Sequence, residues 1–183
     1  VGVDISASAL ALAKASHSSE QFSFLQKNLC EETVPGKFDL VVDAHVLHCI
    51  VNDQERLQLL KNIYSALSPK GLFAIETMTA HKRMNFEENL KFNEVNNILY
   101  RHNTQVQFQD LQFIDGVPYL PVRKINSALD IEAELLRAGF QIIFLYVFSN
   151  RKVIPTEGRD HAISTDPDLL RIIAQRLTDS TPD

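Results

Sequence analysis

The chain carries only two cysteines, Cys30 and Cys49, in 183 residues. That is too few for a disulfide framework and points to a reducing, cytoplasmic setting. No apolar run approaches the ~20 residues of a membrane span, so no membrane partner is expected. Basic residues are scarce as well: 18 Lys and Arg against 23 Asp and Glu leave a net charge of −5. The basic clusters, Arg123-Lys124 and Arg151-Lys152, are single pairs. Neutralising a phosphate backbone takes a basic stripe, so nucleic acid is not an expected partner. Repeats and low-complexity segments are missing. His45 and His48 stand three residues apart, but no acid or cysteine cluster nearby completes a ligand set, so no metal is expected. Nothing in the sequence brings Cys30 and Cys49 together as a redox pair.

What is present is ordinary globular composition, 45% hydrophobic and 22% charged, in a chain long enough for one domain with a sizeable core. Val1-Gly2-Val3-Asp4 reads as a short buried strand ending in an acid, and Ser6 as the cap of an alanine-rich helix with Leu10 and Ala13 inward. Phe22–Leu25 is a second predicted strand. Phe38–Asp43 is a third, almost wholly apolar, as a strand buried on both faces should be. Asn52 with Glu55 resembles a capping box before a helix carrying Leu60, Ile63, Tyr64 and Leu67. Ser68-Pro69-Lys70-Gly71 ends that helix, and Leu72–Thr77 is a fourth strand. Such alternation implies an α/β fold with a parallel sheet and right-handed crossovers.

The pattern changes after Met78. Residues 79–100 are polar with a helical rhythm of apolar residues. Val106–Gln109 and Tyr119–Val122 around Asp115-Gly116 signal a hairpin. Ser127 opens another helix ending at Gly139, Phe140–Phe148 is a long apolar strand, and Asp166-Pro167 begins a predicted last helix with Leu169, Ile172, Ile173 and Leu177 on one face. Residues 79–126 therefore read as an insertion, a helix-plus-hairpin cap, within a single domain spanning 1–183.

Five pieces in order carry a family resemblance: Val1-Gly2-Val3-Asp4-Ile5-Ser6, Asn28-Leu29, Phe38-Asp39-Leu40-Val41-Val42, Val46-Leu47-His48-Cys49-Ile50, and Leu67-Ser68-Pro69-Lys70-Gly71. Together they resemble a class I S-adenosylmethionine-dependent methyltransferase, most fully over residues 1–78. The resemblance implies a Rossmann-like, mostly parallel sheet with flanking helices and S-adenosylmethionine as cofactor. It implies that Asp4 holds the ribose, that Ile5 lies against the adenine, and that Asn28, where the family usually has Asp, stands near the adenine amino group with Leu29 adding a backbone contact. Asp43 and Ala44 fall beside the methionine end. His45 and His48 fall where cofactor and acceptor meet, and either is a candidate general base. The family's first strand and glycine-rich loop have no counterpart. That strand would lie between the Val1–Asp4 and Phe38–Asp43 strands, so the sequence is expected to be an amino-terminal truncation; a second chain or an altered register is the other way to fill the gap.

The expected reaction is methyl transfer to a small organic acceptor, with Asp110, Tyr119 and Arg123 of the insertion as candidate substrate contacts. An insertion after the fourth strand leaves from the carboxyl edge, where ligands of open sheets bind. A homodimer built on the insertion is the competing role for that segment. Two other function classes fit the same residues: a non-catalytic methyltransferase-like interaction module that has lost cofactor binding, and a nicotinamide-dependent oxidoreductase. The second fits Val46-Leu47-His48 and Ser68-Pro69-Lys70-Gly71 less well.

Overall fold

Strand and helix alternate through the first 79 residues of the computed structural model: β1 (Gly2–Asp4), α1 (Ala7–Ser16), β2 (Phe24–Gln26), β3 (Phe38–Ala44), a single 3-10 turn (Leu47–Cys49), α2 (Asp53–Ala66) and β4 (Leu67–Thr79). The structure describes residues 1–17, 21–81, 84, 86–104, 110–149, 153–155, 161–163 and 166–178. Helix starts follow their caps. The Ser6 hydroxyl accepts from Ala9 N–H at 3.2 Å, and the Asn52 side chain accepts from the amides of Gln54 and Glu55. Each bond satisfies donors that a helix leaves open at its amino end. α2 then buries Leu59, Leu60, Ile63 and Ala66 against β4 and its neighbours.

The middle of the chain departs from expectation. Among the described residues, 79–126 contains no helix. It forms β5 (Leu90–Asn93), β6 (Ile98–His102), β7 (Gln112–Ile114) and β8 (Val117–Lys124), an antiparallel sheet in the order β5-β6-β8-β7. The helical rhythm was an accident of spacing. Asn93 and Asn96 instead close a tight turn by accepting from Val95 and Ile98 amides, and Asn97 takes φ 56°. The predicted hairpin turn is where the sequence puts it: Asp115 and Gly116 both have positive φ, 54° and 78°, as a two-residue primed turn requires. The expected strand over 106–109 lies outside the described residues.

α3 (Ala128–Arg137) follows, capped by the Ser127 hydroxyl, and leads through Gly139 to β9 (Phe140–Phe148). A short antiparallel pair, β10 (Val153–Pro155) and β11 (His161–Ile163), precedes β12 (Asp168–Arg176). β12 replaces the predicted last helix. Leu170, Ile172 and Ala174 are buried at every second position, so Leu-Leu-Arg-Ile-Ile-Ala is a period-two strand whose β-branched pair favours extension.

That strand also changes the sheet. The order is β3-β4-β12-β9, with β3 parallel to β4 and β12 antiparallel to both its neighbours. The fold is α/β, but the sheet is mixed rather than mostly parallel. β1 and β2 form a separate parallel pair. Among the described residues β3 is hydrogen-bonded along one edge, to β4, and Leu40 and Val42 are exposed, so it is not the doubly buried strand expected. An apolar cavity of about 290 Å³ lies between β1 and β3, floored by Leu59 and Ile63 of α2. No helix among the described residues is long and apolar enough to cross a membrane.

Candidate active site

The residues singled out by sequence gather at the carboxyl ends of parallel strands: Asp4 at the end of β1, Asn28 just past β2, and Asp43 to His48 at and beyond the end of β3; Glu76 and Thr77, which the sequence did not single out, join them near the end of β4. Short chain reversals there are built by side-chain oxygens.

The sharpest reversal follows β3. The Asp43 carboxylate is buried and accepts from Val46 N–H at 2.7 Å and Leu47 N–H at 3.1 Å. Burial pushes its pKa above the ordinary carboxylate value, while the two amide bonds pull it back. This cap fixes the 3-10 turn and throws His45 into a left-handed conformation, φ 70°. His45 N–H still donates to Glu76 O of β4 at 2.9 Å, and its ring reaches the same residue, with Nε2 3.1 Å from Glu76 Oε1. Arg171 of β12 donates to the other Glu76 oxygen at 2.6 Å, and this bond, with His45 adding to it, holds the Glu76 carboxyl below its ordinary range. An ionised carboxylate only accepts, so the neutral ring of His45 carries its hydrogen on Nε2 and leaves the Nδ1 lone pair open.

His48 has the opposite arrangement. Its ring is 2% exposed and wedged beside β4. Met78 N–H donates to Nδ1 at 3.3 Å, and the Thr77 hydroxyl lies 3.0 Å from the same atom. A backbone N–H needs an acceptor, so Nδ1 bears no hydrogen and Nε2 does. Burial, with the charges of Arg123, His45 and Arg56 adding to it, lowers the pKa to about 4. The ring is therefore neutral at pH 7, and Nε2–H has no hydrogen-bond partner among the described residues. The two imidazoles meet edge to face, centroids 5.6 Å apart.

On the cofactor side, one Asp4 oxygen accepts from Ser6 N–H at 2.7 Å, and the other has no bond among the described residues. Ile5 is 64% exposed, an apolar side chain left facing outward while Gln26 pins its carbonyl at 3.1 Å. A free carboxylate oxygen beside an exposed aliphatic surface fits a ribose diol next to an adenine ring. Asn28 builds the turn after β2: its side-chain oxygen accepts from Cys30 N–H and its amide donates to Glu31. Leu29 packs against the core, and its carbonyl accepts from Asn62 of α2 at 2.8 Å. Ala44 ends β3.

Of the insertion candidates, Arg123 is brought to this edge and Tyr119 is not, and Asp110 lies in an exposed turn before β7. Tyr119 is buried in the β5-β6-β8-β7 sheet, where its ring packs on His102 and under the Lys91 ammonium. β8 packs against the 3-10 turn that carries His48. Arg123 is half-buried on β8, donates to Val122 O at 2.7 Å and has no acidic partner among the described residues. Sequence reasoning missed Arg56. It is 2% exposed on α2, and its guanidinium donates to Leu47 O, Ile50 O and both oxygens of Glu134. The available signal was an arginine one turn past the Asn52 cap, on the face that the apolar pattern turns inward.

Helices beside a mixed sheet, with acids and histidines at the carboxyl ends of its parallel strands, form an α/β arrangement of the kind that binds ligands at that edge. Comparison narrows this. Residues 1–116 match the sequence pattern described as a methyltransferase domain. No curated protein sequence matches the chain. Solved structures share the fold. An S-adenosylmethionine-dependent methyltransferase from Methanosarcina mazei is 17% identical, with 97% of this chain and 82% of that one covered at TM-score 0.65. A putative S-adenosylmethionine-dependent methyltransferase from Listeria monocytogenes is 19% identical, with 97% and 79% covered at TM-score 0.61. The Burkholderia thailandensis 1,6-didemethyltoxoflavin-N1-methyltransferase, solved with 1,6-didemethyltoxoflavin and S-adenosylhomocysteine, is 15% identical, with 96% and 60% covered at TM-score 0.57. The chain belongs to the methyltransferase domain family, in the S-adenosylmethionine-dependent class I. It is an enzyme of that kind, and its methyl donor is S-adenosylmethionine.

Proposed function

We propose that this protein methylates a small organic acceptor at the carboxyl edge of β3 and β4, with His45 receiving the acceptor's proton. The observation that carries this reading is the His45–Glu76 pair: an imidazole held by an ionised carboxylate through Nε2, with Nδ1 unbonded among the described residues. When bound, S-adenosylmethionine supplies a methyl group already activated on a sulfonium. The chain's remaining tasks are alignment and proton removal. Asp4 takes the ribose hydroxyls through its unbonded oxygen, and Ile5 covers the adenine. Ala44 and the turn built by Asp43 border the methionine end. His45 Nδ1 accepts a proton from the acceptor as it is methylated, and Glu76 stabilises the imidazolium that forms. Asn28 shapes the turn beside the adenine, and Leu29 sets the wall behind it.

The insertion, residues 79–126, covers this edge. Its β8 packs against the 3-10 turn, which favours a covered, small-molecule site over a protein acceptor. The neighbour from Burkholderia thailandensis was solved with a small heterocycle, in line with that choice. The test is incubation with methyl-labelled S-adenosylmethionine and a library of small acceptors, beside calorimetry with S-adenosylhomocysteine. Binding of the product cofactor and label in a small molecule are expected, with His45→Gln lowering turnover at neutral pH by about 10²-fold or more. Label found only in protein, or no binding at all, refutes it.

A further inference from the structure

We propose that the acceptor carries a carboxylate, and that His48 Nε2–H and the Arg123 guanidinium bind it. The proposal deepens the methyl-transfer reading and rests on it.

His48 offers a donor and nothing else. Its Nδ1 is committed to Met78 N–H and the Thr77 hydroxyl, both inside the fold, so the ring's outward atom is an N–H. Such an atom cannot take a proton from an acceptor without first losing its own. It can only donate a hydrogen bond. The outward N–H is the one polar atom of the ring that the fold leaves for a ligand, and the partner it suits is a ligand oxygen.

Charge selects which oxygen. The acids that face the 3-10 turn are already satisfied: Asp43 by the Val46 and Leu47 amides, Glu76 by Arg171 and His45, and Glu134 by Arg56 and Asn126. Arg123 is the cation on this side without an acid among the described residues. Its strand packs on the turn, and its charge is felt by the His48 ring. One uncompensated cation matches a monoanion. A planar carboxylate also fits a guanidinium fork and leaves a lone pair for the imidazole N–H. A phosphate dianion would bring a second charge with no counterpart.

The experiment uses the whole protein saturated with S-adenosylhomocysteine, labelled with ¹⁵N in its histidine rings. Calorimetry of the cofactor product comes first: no heat there refutes the methyltransferase reading, independently of the carboxylate. Given binding, long-range ¹H–¹⁵N spectra at pH 7 are expected to show His48 as the Nε2–H tautomer. Benzoate, phenylacetate, benzamide and phenyl phosphate are then titrated as probes. At least one of the two carboxylates is expected to shift the His48 Nε2 resonance, with benzamide and phenyl phosphate weaker. Arg123→Gln is expected to weaken that carboxylate about tenfold or more, and Arg123→Lys to restore part of the loss. An Nδ1–H tautomer, equal or better binding of benzamide or phenyl phosphate, silence from both carboxylates, or indifference to Arg123→Gln each overturns the proposal.

Discussion

Arg56 and Glu134 face each other as a fork on a carboxylate, Nη2 to Oε2 at 2.6 Å and Nε to Oε1 at 3.2 Å, with the guanidinium sealed from solvent. Nη1 donates to Leu47 O and Ile50 O at either end of the 3-10 turn. α2, α3 and the turn that carries His48 are thus tied at one point. Removing one partner of a buried pair strands the other, and the cost is about 3–5 kcal/mol. Arg56→Met is expected to lose stability in that range in urea unfolding. The double change Arg56→Met with Glu134→Leu should recover part of it, because two apolar groups leave no stranded charge. A double variant no more stable than Arg56→Met would show that the carbonyls of Leu47 and Ile50 carry most of the effect.

Asp4 has one oxygen on the Ser6 amide and one open. Asp4→Ala is expected to weaken S-adenosylhomocysteine binding by about 1–3 kcal/mol through loss of charge-assisted bonds. Asp4→Asn keeps an acceptor and should lose less. Calorimetry giving the same affinity for wild type and Asp4→Ala would reduce Asp4 to a support of the turn that leads into α1.

His48 makes stability depend on pH. The unfolded imidazole titrates near pH 6.5 and the folded one near 4. Between these values the unfolded chain binds the extra proton, so stability falls as pH drops from about 6.5 to about 4 and is unaffected by this group above that window. Across the whole window the loss amounts to roughly 3 kcal/mol. Asp43 works the other way at the acid end, since its folded pKa is raised. Chemical unfolding at pH 7, 6 and 5 should show the decline in wild type and a flatter profile in His48→Gln. Identical profiles would mean that the ring titrates as freely folded as unfolded.

Sequence periodicity read the local elements well where one physical cause dominates. Ser6, Asn52 and Ser127 cap helices because their oxygens meet open amides, and Asp115-Gly116 turns because both residues tolerate positive φ. It failed where two causes compete. Leu169, Ile172 and Ile173 suit a helix face and a strand equally, and only the open edges of β4 and β9 decide for β12. The site was legible as a set of positions, Asp4, Asp43, His45 and His48, but not as a set of roles. Which imidazole nitrogen keeps its proton depends on Glu76 and Met78, some thirty residues away in sequence. Arg56 was hidden because charge argues for exposure, and only its four acceptors explain its burial.

The insertion leaves and rejoins the sheet at one place. Thr79 Oγ1 donates to Asn126 O, and Ala80 N–H donates to the same carbonyl, each at 3.0 Å. The two ends are therefore close enough to be bridged by a short linker without moving β4 or α3, and residues between them can be excised as a unit. Tyr100 and Tyr119 are buried within the insertion's own sheet, and Phe86 lies against Phe92, so much of its aromatic content holds that sheet together rather than walling off a ligand. Its reach to the site is through β8 and the 3-10 turn. Replacing residues 81–125 by a Gly/Ser linker should keep S-adenosylhomocysteine binding within about tenfold, since Asp4, Ile5 and Asp43 lie outside the excised piece. Transfer to small acceptors should fall by about 10²-fold or more, because Arg123 and the cover over His48 are gone. The competing role is an interface between copies, for which Phe113 and Val117 offer exposed apolar surface at the hairpin tip. Light scattering on the excised protein separates the two: unchanged turnover with a halved mass would make the insertion a dimer contact, and lost turnover with an unchanged mass would make it the cap.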